Sequence, residues 1–204
     1  MHTSLTVIRR SYLDQFVFSA KTIARPTISF PKLSTCQEYV TTSGLCDHYF
    51  PIDVFKNHRS TEYKLHLKFY VMGDHDANIK LSNGQDEKIV LYAIVVGGHS
   101  NTYSRIRTES LHTVGIDSYK TGLLSPLWPT PIDVRLKYNG ELSVAIPGVV
   151  DPLLRASAPD LDVKSLCFNV YLSEGRWFYN CNEEDEYISV ASPCKIDVRM
   201  NYND

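Results

Sequence analysis

Along most of this chain apolar side chains recur at every second position, and helical spacing is nearly absent. Over residues 63–71, Leu65, Leu67, Phe69 and Val71 share one face while Lys64, His66 and Lys68 share the other. That alternation predicts an antiparallel strand with one buried face. Residues 88–96 are apolar on both faces, Ile89, Leu91, Ala93 and Val95 against Val90, Tyr92, Ile94 and Val96, and they stop at Gly97-Gly98. A strand of that kind belongs in the middle of a sheet. Shorter strands are predicted at 15–19, 26–30, 78–81, 104–108, 112–116 and 195–200, with proline-containing loops at 125–131 and 147–159.

Register can be argued for two hairpins. Ile132, Val134, Leu136 and Tyr138 share a face, as do Leu142, Val144 and Ile146, with Asn139-Gly140 between them. A two-residue loop would set the apolar face of one strand beside the polar face of the other. A three-residue loop opposes Tyr138 to Leu142, Leu136 to Val144 and Val134 to Ile146, and predicts a type I turn with a glycine bulge. The same arithmetic around Ser173-Glu174-Gly175 opposes Tyr171 to Trp177, Asn169 to Tyr179 and Cys167 to Cys181. It makes a cross-strand Cys167–Cys181 bridge geometrically feasible, and two facing free thiols equally so.

Short strands with regular turn spacing imply an all-β fold, a jelly-roll-like sandwich of two antiparallel sheets, rather than alternating βαβ units. The expected organisation is a single domain. An N-terminal arm and cysteine loop span 1–59, the sandwich 60–181, and a C-terminal strand within 182–204 completes it. Thirteen Tyr, eight Phe and two Trp against three Met agree with strands and turns. A chain of 204 residues buries roughly 70% of its unfolded surface, enough for one core.

Charge and cysteines bound the partners. Twenty-one Lys and Arg against 23 Asp and Glu, a net charge of -2, leave no clustered basic surface for nucleic acid. No run of 18 apolar residues is present, so no spanning helix is expected. The run 5–8 is too short for the apolar segment of a secretory signal, which makes the chain either cytosolic or a mature, trimmed form. Cys36 and Cys46 enclose a polar loop, and Cys194 lies near the C-terminus; none of the five cysteines has zinc-ligand spacing. Cys36, Cys46, Cys167 and Cys181 are the bridge candidates. At least one cysteine of the five must stay free or join two chains into a dimer.

Candidate chemistry is sparse. Phosphate-loop, nucleophile-elbow and His-Glu-x-x-His patterns are absent. Gly97-Gly98 is followed by a turn into another strand rather than by a helix, so no dinucleotide or methyl-donor site is predicted. Asp74, Asp76 and Asn78 could offer oxygens to a hard cation, but a turn whose side chains bond their own backbone is the simpler reading. His99, Asn101, Tyr103, Arg105 and Arg107 alternate through a turn and could present a recognition face for a carboxylate or sugar. Trp128 is a further stacking candidate. Glu183-Glu184-Asp185-Glu186 reads as a solvated acidic turn.

The stretch from Tyr92 to Arg107, YAIVVGGHSNTYSRIR, resembles the core motif of the farnesoic acid O-methyltransferase domain family, Tyr-x-Ile-Val-Ile-Gly-Gly-x-x-Asn-Thr-x-Ser-x-Ile-Arg. Phe69-Tyr70-Val71 with Asp76-Ala77-Asn78-Ile79 resembles its upstream strand, although Asn78 stands where the family has His. Gly122-Leu123-Leu124-Ser125-Pro126 resembles its Gly-Ile-Leu-Ser segment. The likeness spans about residues 60–181. It implies two opposite functions. The family name implies methyl transfer from S-adenosylmethionine to the carboxylate of farnesoic acid, in arthropod juvenile-hormone synthesis, with Arg105 or Arg107 holding the carboxylate. Occurrence of such domains in multidomain animal extracellular proteins implies a binding role. The expectation drawn here is a secreted, non-enzymatic binding module without cofactor, for a small apolar acid, a glycan or a protein partner. The alternatives are a cytoplasmic S-adenosylmethionine-dependent methyltransferase and a carbohydrate-binding defence protein.

Overall fold

A computed structural model describes residues 30–182, apart from 43, 47, 85–89, 109 and 111. The strands expected at 15–19 and 195–200, residues 26–29 of the one expected at 26–30, and the acidic run 183–186 lie outside the described residues. Phe30 itself opens a short helix, α1 (Phe30–Leu33).

Among the described residues, twelve strands form two antiparallel sheets of six. The first sheet contains β1 (Gln37–Thr41), β12 (Gly175–Tyr179), β3 (Tyr63–Met72), β8 (Thr130–Lys137), β9 (Glu141–Ile146) and β10 (Val150–Ser157), hydrogen-bonded in that order. The second contains β2 (Phe50–Pro51), β11 (Ser165–Val170), β4 (Ala77–Ser82), β5 (Val90–Gly97), β6 (Tyr103–Thr108) and β7 (Thr113–Ser118). The alternating apolar faces meet in one core: Leu65, Leu67, Phe69 and Val71 from β3 pack with Ile79, Leu81, Ile94 and Ile106 of the opposite sheet. Phe168 of the second sheet lies 5.0 Å from Trp177 and 5.8 Å from Phe69 of the first, ring centre to ring centre. The expected two-sheet sandwich is therefore the observed fold.

The Asn139-Gly140 turn has the expected type but a shifted pairing. Leu136 opposes Leu142 and Val134 opposes Val144, two residues away from the predicted register with the same faces matched. The three-residue loop is Tyr138, Asn139 and Gly140: the Gly140 amide donates to the Lys137 carbonyl at 3.0 Å, and Gly140 adopts φ +85°. Starting the loop at Tyr138 leaves that side chain 64% exposed instead of placing it in the core.

Two expectations are corrected. The predicted loop at 147–159 contains strand β10, whose Leu154 and Ala156 pair with Val144 and Leu142. The predicted 167–181 hairpin does not form, because β11 and β12 lie in different sheets and the chain crosses from one to the other between them. Cys167 and Cys181 are therefore not partners. Cys46 bonds Cys167, and Cys36 bonds Cys181. Pairing of β1 with β12, Gln37 opposite Tyr179, brings the residue before one strand beside the residues after the other. On β11 the loop carrying Gly44 and Cys46 packs over the outer face, where Asn169 donates to the Gly44 carbonyl. That cover buries both faces of β11. Cys194, outside the described residues, is the cysteine left over.

Candidate functional site

The glycine doublet opens a left-handed turn. Gly97, His99, Ser100 and Asn101 have φ of +62°, +48°, +57° and +65°, and the Thr102 amide closes the turn on the Gly98 carbonyl at 2.9 Å. Residues with a Cβ lose about 1–2 kcal/mol each in this conformation, so surrounding contacts must hold it. Asn101 supplies them. Its Nδ2 donates to the Leu124 carbonyl at 2.9 Å, and its Oδ1 accepts the amides of Leu123 and Leu124 at 2.9 and 3.1 Å. Its own carbonyl accepts the Gly122 amide at 2.8 Å. A Cβ on Gly97 would stand 2.6 Å from Asn101 Oδ1, and one on Gly98 would stand 2.6 Å from Tyr103 Cζ. The most family-like residues thus tie two loops together at one end of the sandwich.

Other candidates beside that turn are spent on structure. Arg105 lies 4.4 Å over the Tyr103 ring and bonds Asp117 Oδ2 at 2.7 Å. The His99 side chain is exposed, while its amide donates to Asp76 Oδ1 at 3.2 Å. His75 Nδ1 lies 2.8 Å from Asp76 Oδ2, and Asp74 Oδ1 accepts the Ser173 hydroxyl at 2.9 Å. Asn78, 7% exposed, donates to the Asp76 carbonyl at 2.7 Å. The carboxylates at 74 and 76 are therefore taken up by His75 and by the loops carrying His99 and Ser173, and among the described residues no group of three metal-type ligands gathers. Trp128, 52% exposed, leans on Phe30 at 6.2 Å rather than on the motif. Of the sequence candidates, Arg107 alone keeps a charge without an anionic partner among the described residues.

The opposite end of the sandwich carries a cleft of about 440 Å³, within the roughly 300–1,000 Å³ usual for small-molecule sites. Leu65 and Leu136, cross-strand partners on β3 and β8, form its floor with Phe55 and Val163. One wall is the segment 52–59, which crosses the end of the sandwich. The Ile52 amide donates to the Lys164 carbonyl at 2.8 Å. Phe55 buries its ring 5.8 Å from Phe69 and 5.1 Å from Tyr179. Asn57 bonds the Lys64 carbonyl and the His66 amide of β3 at 3.2 and 2.9 Å. The other wall is 162–163, fixed where Lys64 Nζ donates to the Leu161 carbonyl at 2.7 Å.

The rim is polar. Tyr138, Asp53, Arg59 and Asp162 stand around the mouth. A hydrogen bond from Lys164, with the charges of Lys164 and Lys64, holds the Asp162 carboxyl below its ordinary range. Arg59 is exposed and has no anionic partner among the described residues. No pattern along the chain signals this wall. Asp53-Val54-Phe55 breaks the alternation, and a segment with no period of its own reads as an arm rather than as part of a cleft.

A family model described as farnesoic acid O-methyl transferase matches residues 47–183, a span that contains both the left-handed turn and the cleft. No curated protein matches the chain.

Proposed function

This chain belongs to the farnesoic acid O-methyl transferase family, and we propose that it acts as a secreted, non-enzymatic binding module that takes a small apolar acid into the cleft between 52–59 and 162–163. The observation that carries the reading is the cleft's composition: an apolar floor of Phe55, Leu65, Leu136 and Val163 beneath a rim whose arginine, Arg59, has no anionic partner among the described residues. Such a site buries an apolar body and offers a guanidinium to a carboxylate at its mouth. Asp53 on the same rim favours ligands whose charge is confined to one end.

Two further features support binding over catalysis and secretion over the cytosol. The glycine turn that resembles the family motif spends its polar groups internally: the Gly97 amide donates to Ser104 Oγ at 3.1 Å, and the Gly98 carbonyl is taken by Thr102. Two bridges that close 145 and 121 residues suit an oxidising compartment. Transfer of a methyl group from S-adenosylmethionine is the second reading, favoured by the family description. Calorimetry with farnesoic acid and separately with S-adenosylmethionine decides between them. Binding of the acid without binding of the methyl donor supports the module. Binding of S-adenosylmethionine followed by release of the methyl ester overturns it.

A further inference from the structure

Lys80 on β4, Ala93 on β5 and Arg107 on β6 are successive members of one cross-strand row, flanked by Cys167 on β11 and Thr113 on β7. Their chain neighbours Ile79, Leu81, Ile94 and Ile106 fill the core, so this row stands on the outer face of the second sheet. Strands lie about 4.8 Å apart, which sets the Lys80 and Arg107 backbones roughly 10 Å apart with a single methyl side chain between them. Two long side chains can meet over that methyl, and Ala93 is only 7% exposed although it faces outward.

Neither cation has an anionic partner among the described residues. Among the described residues, the acid beside this row, Asp117, is already bonded to Arg105, and Cys167 is held in its bridge. The Nε of Arg107 is buried with no hydrogen-bond partner. Burial, and then the charge of Arg107, pushes the Lys80 ammonium below its ordinary range. Two like charges on one row, partly withdrawn from water, repel each other, and a counterion between them would remove that cost.

We propose that the outer face of the second sheet holds an oxyanion between Lys80 and Arg107, above Ala93. The ligand group is a carboxylate, sulfate or phosphate, for which a guanidinium supplies parallel N–H donors and an ammonium a compact charge. Its source is either a free ion or a group carried on a sugar. This site is separate from the end cleft and does not rest on it.

Nuclear magnetic resonance on the whole, oxidised chain tests the proposal. Sodium sulfate titrated against sodium chloride at matched ionic strength should shift the Arg107 Nε–Hε signal saturably and raise the pKa read at Lys80 Cε. Lys80→Gln and Arg107→Gln should each weaken sulfate binding at least tenfold, while Arg59→Ala in the cleft leaves it unchanged, which separates failure here from failure of the cleft. Lys80→Gln removes one of two repelling charges, so it should melt no lower than the parent. A sulfated disaccharide binding at least tenfold more tightly than sulfate assigns the group to a sugar, and equal affinity assigns it to a free ion. Signal changes that chloride reproduces, or sulfate binding untouched by both variants, overturn the site.

Discussion

Asn101 grips Leu124 from both sides, donating to its carbonyl at 2.9 Å and accepting its amide at 3.1 Å. This candidate ligand contact is a clamp between the β5–β6 turn and the loop that leads to β8. Replacement by glycine tolerates the φ of +65° but loses the side-chain bonds, one of them shared with Leu123. Asn101→Gly should therefore lower stability by about 2–3 kcal/mol, the cost of leaving several backbone groups unpaired. Urea unfolding measures it, and apolar-acid affinity of the folded variant should be unchanged.

The bridges make a second prediction. Peptide mapping without reductant should recover the pairs Cys36–Cys181 and Cys46–Cys167, with Cys194 the reactive thiol or the link of a dimer. Each bridge closes a loop of more than 100 residues, so Cys46→Ser with Cys167→Ser should cost about 3–5 kcal/mol. Recovery of a Cys167–Cys181 peptide would contradict the separation of β11 and β12 into two sheets.

Acid sensitivity is expected from Asp133. Burial opposes its ionisation, but hydrogen bonds from His66 at 3.2 Å and Arg135 at 2.9 Å, with their charges, outweigh burial and hold its carboxyl below the ordinary range. A depressed folded-state pKa contributes stability that is present above the unfolded value, near 4, and is lost as pH falls through the folded one. The parent should lose stability below about pH 4. Asp133→Asn should lose about 2–3 kcal/mol at pH 7 and show a flatter acid limb in pH-resolved melting.

At the cleft, Arg59→Ala should weaken binding of an apolar acid about 10- to 100-fold, the scale of one charge-assisted contact, and leave melting unchanged because the side chain is exposed. Leu136→Ala should lower stability by about 2–4 kcal/mol as well as affinity, since that side chain is 1% exposed and serves the core as well as the floor.

What the chain disclosed and what it hid have physical reasons. Strands β3 to β6 and β8 to β9 were legible because each buries one or both faces with period two. The Asn139-Gly140 turn was legible because its glycine must take a positive φ. Strand β10 was hidden because Pro152 interrupts it and Pro147 and Pro159 flank it. The β11–β12 crossover was hidden because alternation names the buried face of a strand without naming the sheet that strand joins. At the candidate site, Arg107 has no anionic partner among the described residues, whereas Asn101 and Arg105 found partners in Leu124 and Asp117, more than ten residues along the chain. Lys80 carries no signal in the sequence, because only pairing through β5 sets it across Ala93 from Arg107.

The most direct test of the binding reading is a calorimetric titration of the intact, oxidised protein with farnesoic acid, repeated with its methyl ester and with S-adenosylmethionine. A saturable signal for the acid, weaker for the ester, reduced by Arg59→Ala and absent for S-adenosylmethionine is the predicted result. Binding of S-adenosylmethionine together with conversion of the acid to its ester would contradict it.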